Sequence, residues 1–67
     1  MIVQLNGKKV ELAEEITTVR ALLASYSLQE KIVVVESNGE IIDRSAYEQT
    51  PIADGDRIEI VHFVGGG

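Results

Sequence analysis

The chemistry this 67-residue sequence can do is concentrated at its end, which reads Phe63-Val64-Gly65-Gly66-Gly67. Glycines lack Cβ atoms, so Gly65, Gly66 and Gly67 can thread a narrow channel and adopt φ angles closed to other residues. The carboxylate of Gly67 is unhindered at the carbon that a nucleophile must attack. Extended, three residues reach roughly 10 Å at about 3.3–3.6 Å each, enough to enter an enzyme pocket while a globular body stays outside. Glycine runs also serve as linkers. Read as the end of the polypeptide, with nothing after it to link, this one is expected to be a flexible tail over residues 65–67 and a substrate.

The side-chain candidates are weaker. His62 is the single histidine. A general acid or base needs a partnered, oriented imidazole, and no spacing supplies one, so His62 is expected to be a structural strand residue. Asp54 and Asp56 flank Gly55, which suits a turn better than an EF-hand loop, since further oxygens at fixed offsets and a distal Glu are missing. With 0 Cys there is no disulfide framework, zinc knuckle, iron–sulfur cluster or thiol nucleophile. No metal site and no catalytic residue are expected.

Composition narrows the partners. Lys and Arg total 6 and Asp and Glu total 11, a net charge of −5, which argues against binding a phosphate backbone. The glutamates are read as solvated faces, some of them able to complement a basic partner and speed encounter. No apolar run approaches the roughly 20 residues a membrane span requires. The first ten residues carry no signal-peptide pattern, and a Cys-free small domain fits a reducing cytoplasm, so a cytoplasmic location is expected.

These chemical features must be positioned by a small set of elements. Ile2–Leu12 holds two β-capable runs around Asn6-Gly7, the dipeptide suited to the positive φ angles of a type I′ turn, and predicts a hairpin. Val3 and Leu5 share one face of the first strand, and Val10 and Leu12 one face of the second. Val19, Leu22, Leu23 and Tyr26 fall at i, i+3, i+4 and i+7, predicting an amphipathic helix over about residues 18–26 with all four in the core. Thr17 is the expected N-cap, with Glu14 and Glu15 near the positive end of the helix dipole. Lys31–Glu36 and Glu40–Asp43 flank a second Asn-Gly, at 38–39, and predict another hairpin. Ser45–Thr50 reads as irregular with at most one helical turn, and Arg57–Val64 as the last strand.

The order is β-β-α-β-β-β, an α+β chain whose mixed sheet wraps round one helix. One helix covers one face only. Yet alternation places apolar residues on both faces. If Val33 and Val35 point to the helix, Ile32 and Val34 point away; if Ile58 and Ile60 point inward, Val61 and Phe63 point outward. A contiguous apolar patch for docking a partner is one reading, and scattered surface residues covered by loops are the other.

That element order, the Asp54-Gly55-Asp56 turn, the final apolar strand and the closing Gly66-Gly67 resemble the ubiquitin-like (β-grasp) sulfur carriers. Within these the chain is most similar to the ThiS family of thiamine biosynthesis. The resemblance covers the whole chain, and Asp54–Gly67 carries most of it; the extra Gly65 departs from the commonest two-glycine ending and leaves the terminal pair intact. It implies a β-grasp domain over residues 1–64 and a tail over 65–67. It further implies that an E1-like adenylyltransferase (ThiF family) uses ATP to convert the Gly67 carboxylate to an acyl-adenylate. A persulfide-derived sulfur then displaces AMP to leave a thiocarboxylate, which thiazole synthase (ThiG family) consumes. On this reading the chain is a rechargeable co-substrate that binds no cofactor itself. Val34, Val61, Phe63 and Val64 would dock the partners. A ubiquitin-like modifier joined to lysines, a molybdopterin-type sulfur carrier and a plain adaptor with inert glycines remain as alternatives.

Overall fold

The computed structural model describes residues 1–63, in which five strands, one α-helix and one 3-10 turn are ordered as β1 (Ile2–Leu5), β2 (Lys8–Glu11), α1 (Val19–Ser25), β3 (Val33–Ser37), β4 (Glu40–Ile42), the 3-10 turn (Arg44–Ala46) and β5 (Arg57–His62). The strands form one sheet in the spatial order β2-β1-β5-β3-β4. β1 and β5 run parallel, and every other pair is antiparallel. The last strand in sequence is therefore the middle strand in space. Among the described residues no helix is long and apolar enough to cross a membrane.

Both Asn-Gly dipeptides make the turns their chemistry suggests. Asn6 and Gly7 sit at φ 50° and 84°, Asn38 and Gly39 at 51° and 87°. Paired positive φ values match the right-handed twist of flanking strands, and asparagine tolerates this region better than other residues with a side chain.

The core lies between α1 and the inner sheet face. Val3, Val35 and Ile58 from three adjacent strands meet Val19, Leu22 and Leu23 from the helix, all almost fully buried, and Leu12 and Ile52 close the sides. Leu5, Val10, Val33, Ile42 and Ile60 pack around them, as alternation requires. Ile52 belongs to no element. It is held in place because its N–H donates to Thr17 O at 2.9 Å and neighbouring Pro51 bridges Thr18.

The helix departs from expectation at both ends. Thr18, not Thr17, is the N-cap: its backbone is extended, and its Oγ1 accepts from Ala21 N at 3.1 Å. Thr17 is committed elsewhere through its carbonyl bond to Ile52. No acidic residue lies in the first turn, so Glu14 and Glu15 do not complement the dipole there. At the other end Tyr26 is 46% exposed and leaves the core. The helix stops at Ser25, Ser27 takes φ 59°, and Ser27 N and Leu28 N donate to Ala24 O and Leu23 O. This is a Schellman closure with serine where glycine is usual. It swings Leu28 onto the core in the place the helical period had assigned to Tyr26.

The third strand begins two residues later than the sequence pattern suggests and runs one further, because Lys31 N is taken by a turn bond to Leu28 O. β4 is Glu40–Ile42, one residue short of its expected end, because the Asp43 side chain caps the 3-10 turn. The described part of β5 ends at His62.

Leu22→Ala should cost about 2–5 kcal/mol in urea unfolding, which approaches the whole stability of a domain this size, roughly 3–10 kcal/mol at 0.05–0.15 per residue. Thr18→Ala should cost about 1 kcal/mol, and Thr17→Ala distinctly less, in the same measurement.

Candidate functional site

Strand pairing determines what the uncovered face of the sheet presents. In the β3–β5 ladder Val33 faces His62, Val34 faces Val61, Val35 faces Ile60 and Glu36 faces Glu59. Val35 and Ile60 lie on the helix side, so Val34 and Val61 form a cross-strand pair on the outer side. Phe63 N donates to Ile32 O at 3.1 Å, which carries the pairing one step further and sets Phe63 beside Ile32. Ile32 and Phe63 are 69% and 57% exposed, while Val34, at the centre, is 37% exposed. The structure thus brings Ile32, Val34, Val61 and Phe63, the outward set read from alternation, together in one patch.

Glu36 and Glu59 bound this patch. They face each other on the same outer side, an arrangement that is destabilising by a few tenths of a kcal/mol in a free sheet. Ile41 of β4 stands opposite Glu36 and is highly exposed. Sequence reasoning missed Ile41 as an outer-face residue. The signal was present: Ile41 and Ile42 are adjacent in a strand, so one must face away from the core, and Ile42 pairs with buried Val35.

The apolar patch occupies the C-terminal end of β5, the end from which the chain continues toward its glycines. Val64, Gly65, Gly66 and Gly67 lie outside the described residues. The strand is tied on the β3 side as far as Phe63 and on the β1 side as far as Ile60. On the β3 side the bond to Ile32 serves. On the β1 side, Asn6 N donates to Ile58 O at 2.9 Å, Ile60 N donates to Asn6 Oδ1 at 2.8 Å, and Asn6 Nδ2 donates to Ile60 O at 3.2 Å. At the other end of β5, Asn38 acts in the same way: Arg57 N donates to its Oδ1 at 2.9 Å and its own N–H donates to Arg57 O at 2.8 Å.

The remaining candidates are structural. Asp54 Oδ1 accepts from Ile2 N at 2.7 Å, and Asp56 Oδ2 accepts from Ala53 N at 2.8 Å. Asp56 Oδ1 also accepts from Asn38 Nδ2 at 3.0 Å. These carboxylates close the turn before β5 and fasten it to β1. His62 lies across from Val33, is exposed, and has no side-chain hydrogen bond among the described residues. Asp43 caps the 3-10 turn, where the Ser45 hydroxyl and then the Ser45 backbone N–H hold its carboxyl below the usual 3.8. A depression of about 320 Å³ lies at the opposite end of the sheet, lined by Ile2, Gln4, Lys9 and Arg57 among others. Among the described residues no group of His, Cys, Asp and Glu is placed to hold a metal.

Comparison with known proteins agrees with this geometry. The model of the ThiS family matches residues 3–67. The sulfur carrier protein ThiS of Bacillus subtilis is 53% identical over 66 residues, which cover 98% of this chain and all of that one. A thiazole synthase of Paramagnetospirillum magneticum is 41% identical over 63 residues, and one of Magnetococcus marinus is 37% identical over 67. This chain spans only about a fifth of the length of those two, 19% and 20%. Among solved structures, the crystal structure of thiamine biosynthesis protein ThiS from Geobacter metallireducens superposes with a TM-score of 0.82 at 36% identity, covering the whole of both chains. The solution structure of a thiamine biosynthesis protein from the same organism gives 0.81 at 35% identity, covering this chain and 88% of that one. With its mixed five-stranded sheet, single helix and full-length match, the chain has the β-grasp fold and belongs to the ThiS family.

Proposed function

We propose that this chain is a sulfur carrier of thiamine biosynthesis, charged at the carboxylate of Gly67 and catalysing no step of its own. The observation that carries this reading is the match to the Bacillus subtilis carrier over that protein's entire length, within a family model that runs through Gly67. Residues 1–64 serve as the globular body and residues 65–67 as the tail that enters partner active sites.

The chemistry follows from what a carboxylate lacks. It resists nucleophilic attack because its leaving group is an oxide. An E1-like adenylyltransferase of the ThiF type supplies a better one: a Gly67 carboxylate oxygen attacks the α-phosphorus of ATP, and pyrophosphate departs. The resulting acyl-adenylate accepts a persulfide-derived sulfur at its carbonyl carbon, and AMP leaves. Where the donor remains attached through a sulfur–sulfur bond, a thiol reduces that bond and frees the thiocarboxylate. ATP is thus a substrate of the partner, and the carrier binds no cofactor. A backbone terminus does the work for which a cysteine would otherwise be needed, consistent with 0 Cys in the sequence.

Thiazole synthase, of the ThiG type, is the proposed recipient of the sulfur. A region resembling this chain forms part of two thiazole synthases. Joining carrier and consumer in one polypeptide raises their effective concentration, which has value only where the two meet. Val34, Val61 and Phe63, with Val64 beyond them, are proposed to dock both enzymes, since burying exposed apolar side chains beside the tail anchors the body while the terminus reacts. All of this chemistry belongs in a reducing, ATP-containing compartment, the cytoplasm.

With its adenylyltransferase, ATP and a persulfide donor, the chain should show an oxygen-to-sulfur mass change in intact mass spectrometry, mapped to the C-terminal residue. A chain ending at Gly66 should melt at the same temperature and show no such productive charging in thiazole formation. Phe63→Ala or Val61→Asp should weaken binding to the adenylyltransferase by about tenfold or more, read by calorimetry, with far-ultraviolet circular dichroism unchanged.

A further inference from the structure

We propose that Asn6 is a positioning residue for the carrier's terminus: its side-chain amide takes the place of a missing strand residue and holds β5 in register as the chain leaves the sheet. The inference rests on the carrier reading above and concerns how the end of the chain is presented.

The need for such a device is visible in the topology. β1 is the parallel neighbour of β5, and their backbone pairing covers only Gln4 with Arg57 and Leu5 with Ile58. At Asn6 the chain turns back into β2. Without a substitute, β5 would lose its β1-side hydrogen bonds at Ile60, just where it must deliver the tail. An unpaired pair of backbone groups there would hydrate, and the strand would fray. The Asn6 side chain prevents this. Its carbonyl and amide ends bond the N–H and C=O of Ile60 at 2.8 and 3.2 Å, as a facing peptide unit would, while its backbone N–H bonds Ile58 O at 2.9 Å. The residue also holds φ 50° for the turn.

Only asparagine meets both demands here. Glycine takes the turn conformation and has no amide. Aspartate tolerates the turn and offers an acceptor to Ile60 N, yet has no donor for Ile60 O and sets a carboxylate against that carbonyl. Asn38 provides a matched comparison inside the same molecule. It occupies the equivalent turn position at φ 51° and clasps β5 at Arg57, the end away from the tail. Each side chain makes two hydrogen bonds, Asn6 both with Ile60, and Asn38 one with Arg57 N and one with Asp56 Oδ1. Only one of the two clasps lies beside the exit.

The test uses the full chain with its cognate adenylyltransferase and ATP, reading adenylation by pyrophosphate release, with Asn6→Gly, Asn6→Asp and Asn38→Gly compared at a temperature where all remain folded. Both glycine variants should lower the urea midpoint to a similar extent. Asn6→Gly alone should lower kcat about tenfold with KM changed by less than about twofold, because docking is intact and the reacting end is misplaced. Asn6→Asp should fall between. Amide hydrogen exchange in the free chain should accelerate at Ile60 through Phe63 in Asn6→Gly and at Arg57 in Asn38→Gly. An unchanged kcat in Asn6→Gly, an equal loss in Asn38→Gly, or unaltered exchange at Ile60 overturns the assignment. No pyrophosphate release from the unsubstituted chain would instead overturn the carrier reading, and the assignment would fall with it.

Discussion

A sheet of five strands has two faces, and the described residues hold a single seven-residue α-helix with which to cover them. Burial of apolar surface is worth roughly 25 cal/mol per Å², so the face under the helix collects the core and the other face stays open to water. Val3, Val35 and Ile58 go under the helix with Leu22 and Leu23. Ile32, Val34, Val61 and Phe63 have nowhere to go. Among the described residues no second layer covers them. That exposed surface is what the proposed docking of partner enzymes would cover, since burying it beside the tail would anchor the body.

The second organising feature is the position of β5. Last in sequence and central in space, it is bordered by β1 and β3. Central placement gives the strand hydrogen bonds on both edges. Each neighbour turns away before β5 is fully paired, and at each of those places an asparagine side chain completes the ladder, Asn6 at Ile60 and Asn38 at Arg57. The same residues bear the left-handed backbone of the hairpin turns. One residue type serves local geometry and long-range pairing at once, which explains why a carrier this small holds its terminal strand without covalent staples.

Where sequence reasoning failed, the cause lies in contacts between residues distant in the chain. The helical stripe Val19, Leu22, Leu23 was correct, and its extension to Tyr26 was not, since Ser27 adopted a left-handed cap that glycine would have announced and serine did not. Leu28 then reached the core from outside the helical period. Thr17 and Thr18 are equivalent N-cap candidates in isolation. Ile52, from a loop after Pro51, chose between them by bonding the Thr17 carbonyl. Ile41 could have been read from its neighbour Ile42, whereas the acidic pair of Glu36 and Glu59 could not, because it exists only in the β3–β5 register.

By itself the sequence determined the element order, both Asn-Gly turns, the inward and outward sets on the third and last strands, the absence of thiol chemistry, and the resemblance carried by its final residues. These are properties of local conformation and period, in which each residue's neighbours along the chain hold all the information. Only the tertiary structure decided that β5 lies between β1 and β3, that Val34 meets Val61 and Phe63 meets Ile32 on one exposed surface, and that Asn6 bonds Ile60 across 54 positions. Strand pairing joins segments far apart in sequence through backbone groups common to every residue, so side-chain pattern alone does not encode which partner each edge will meet.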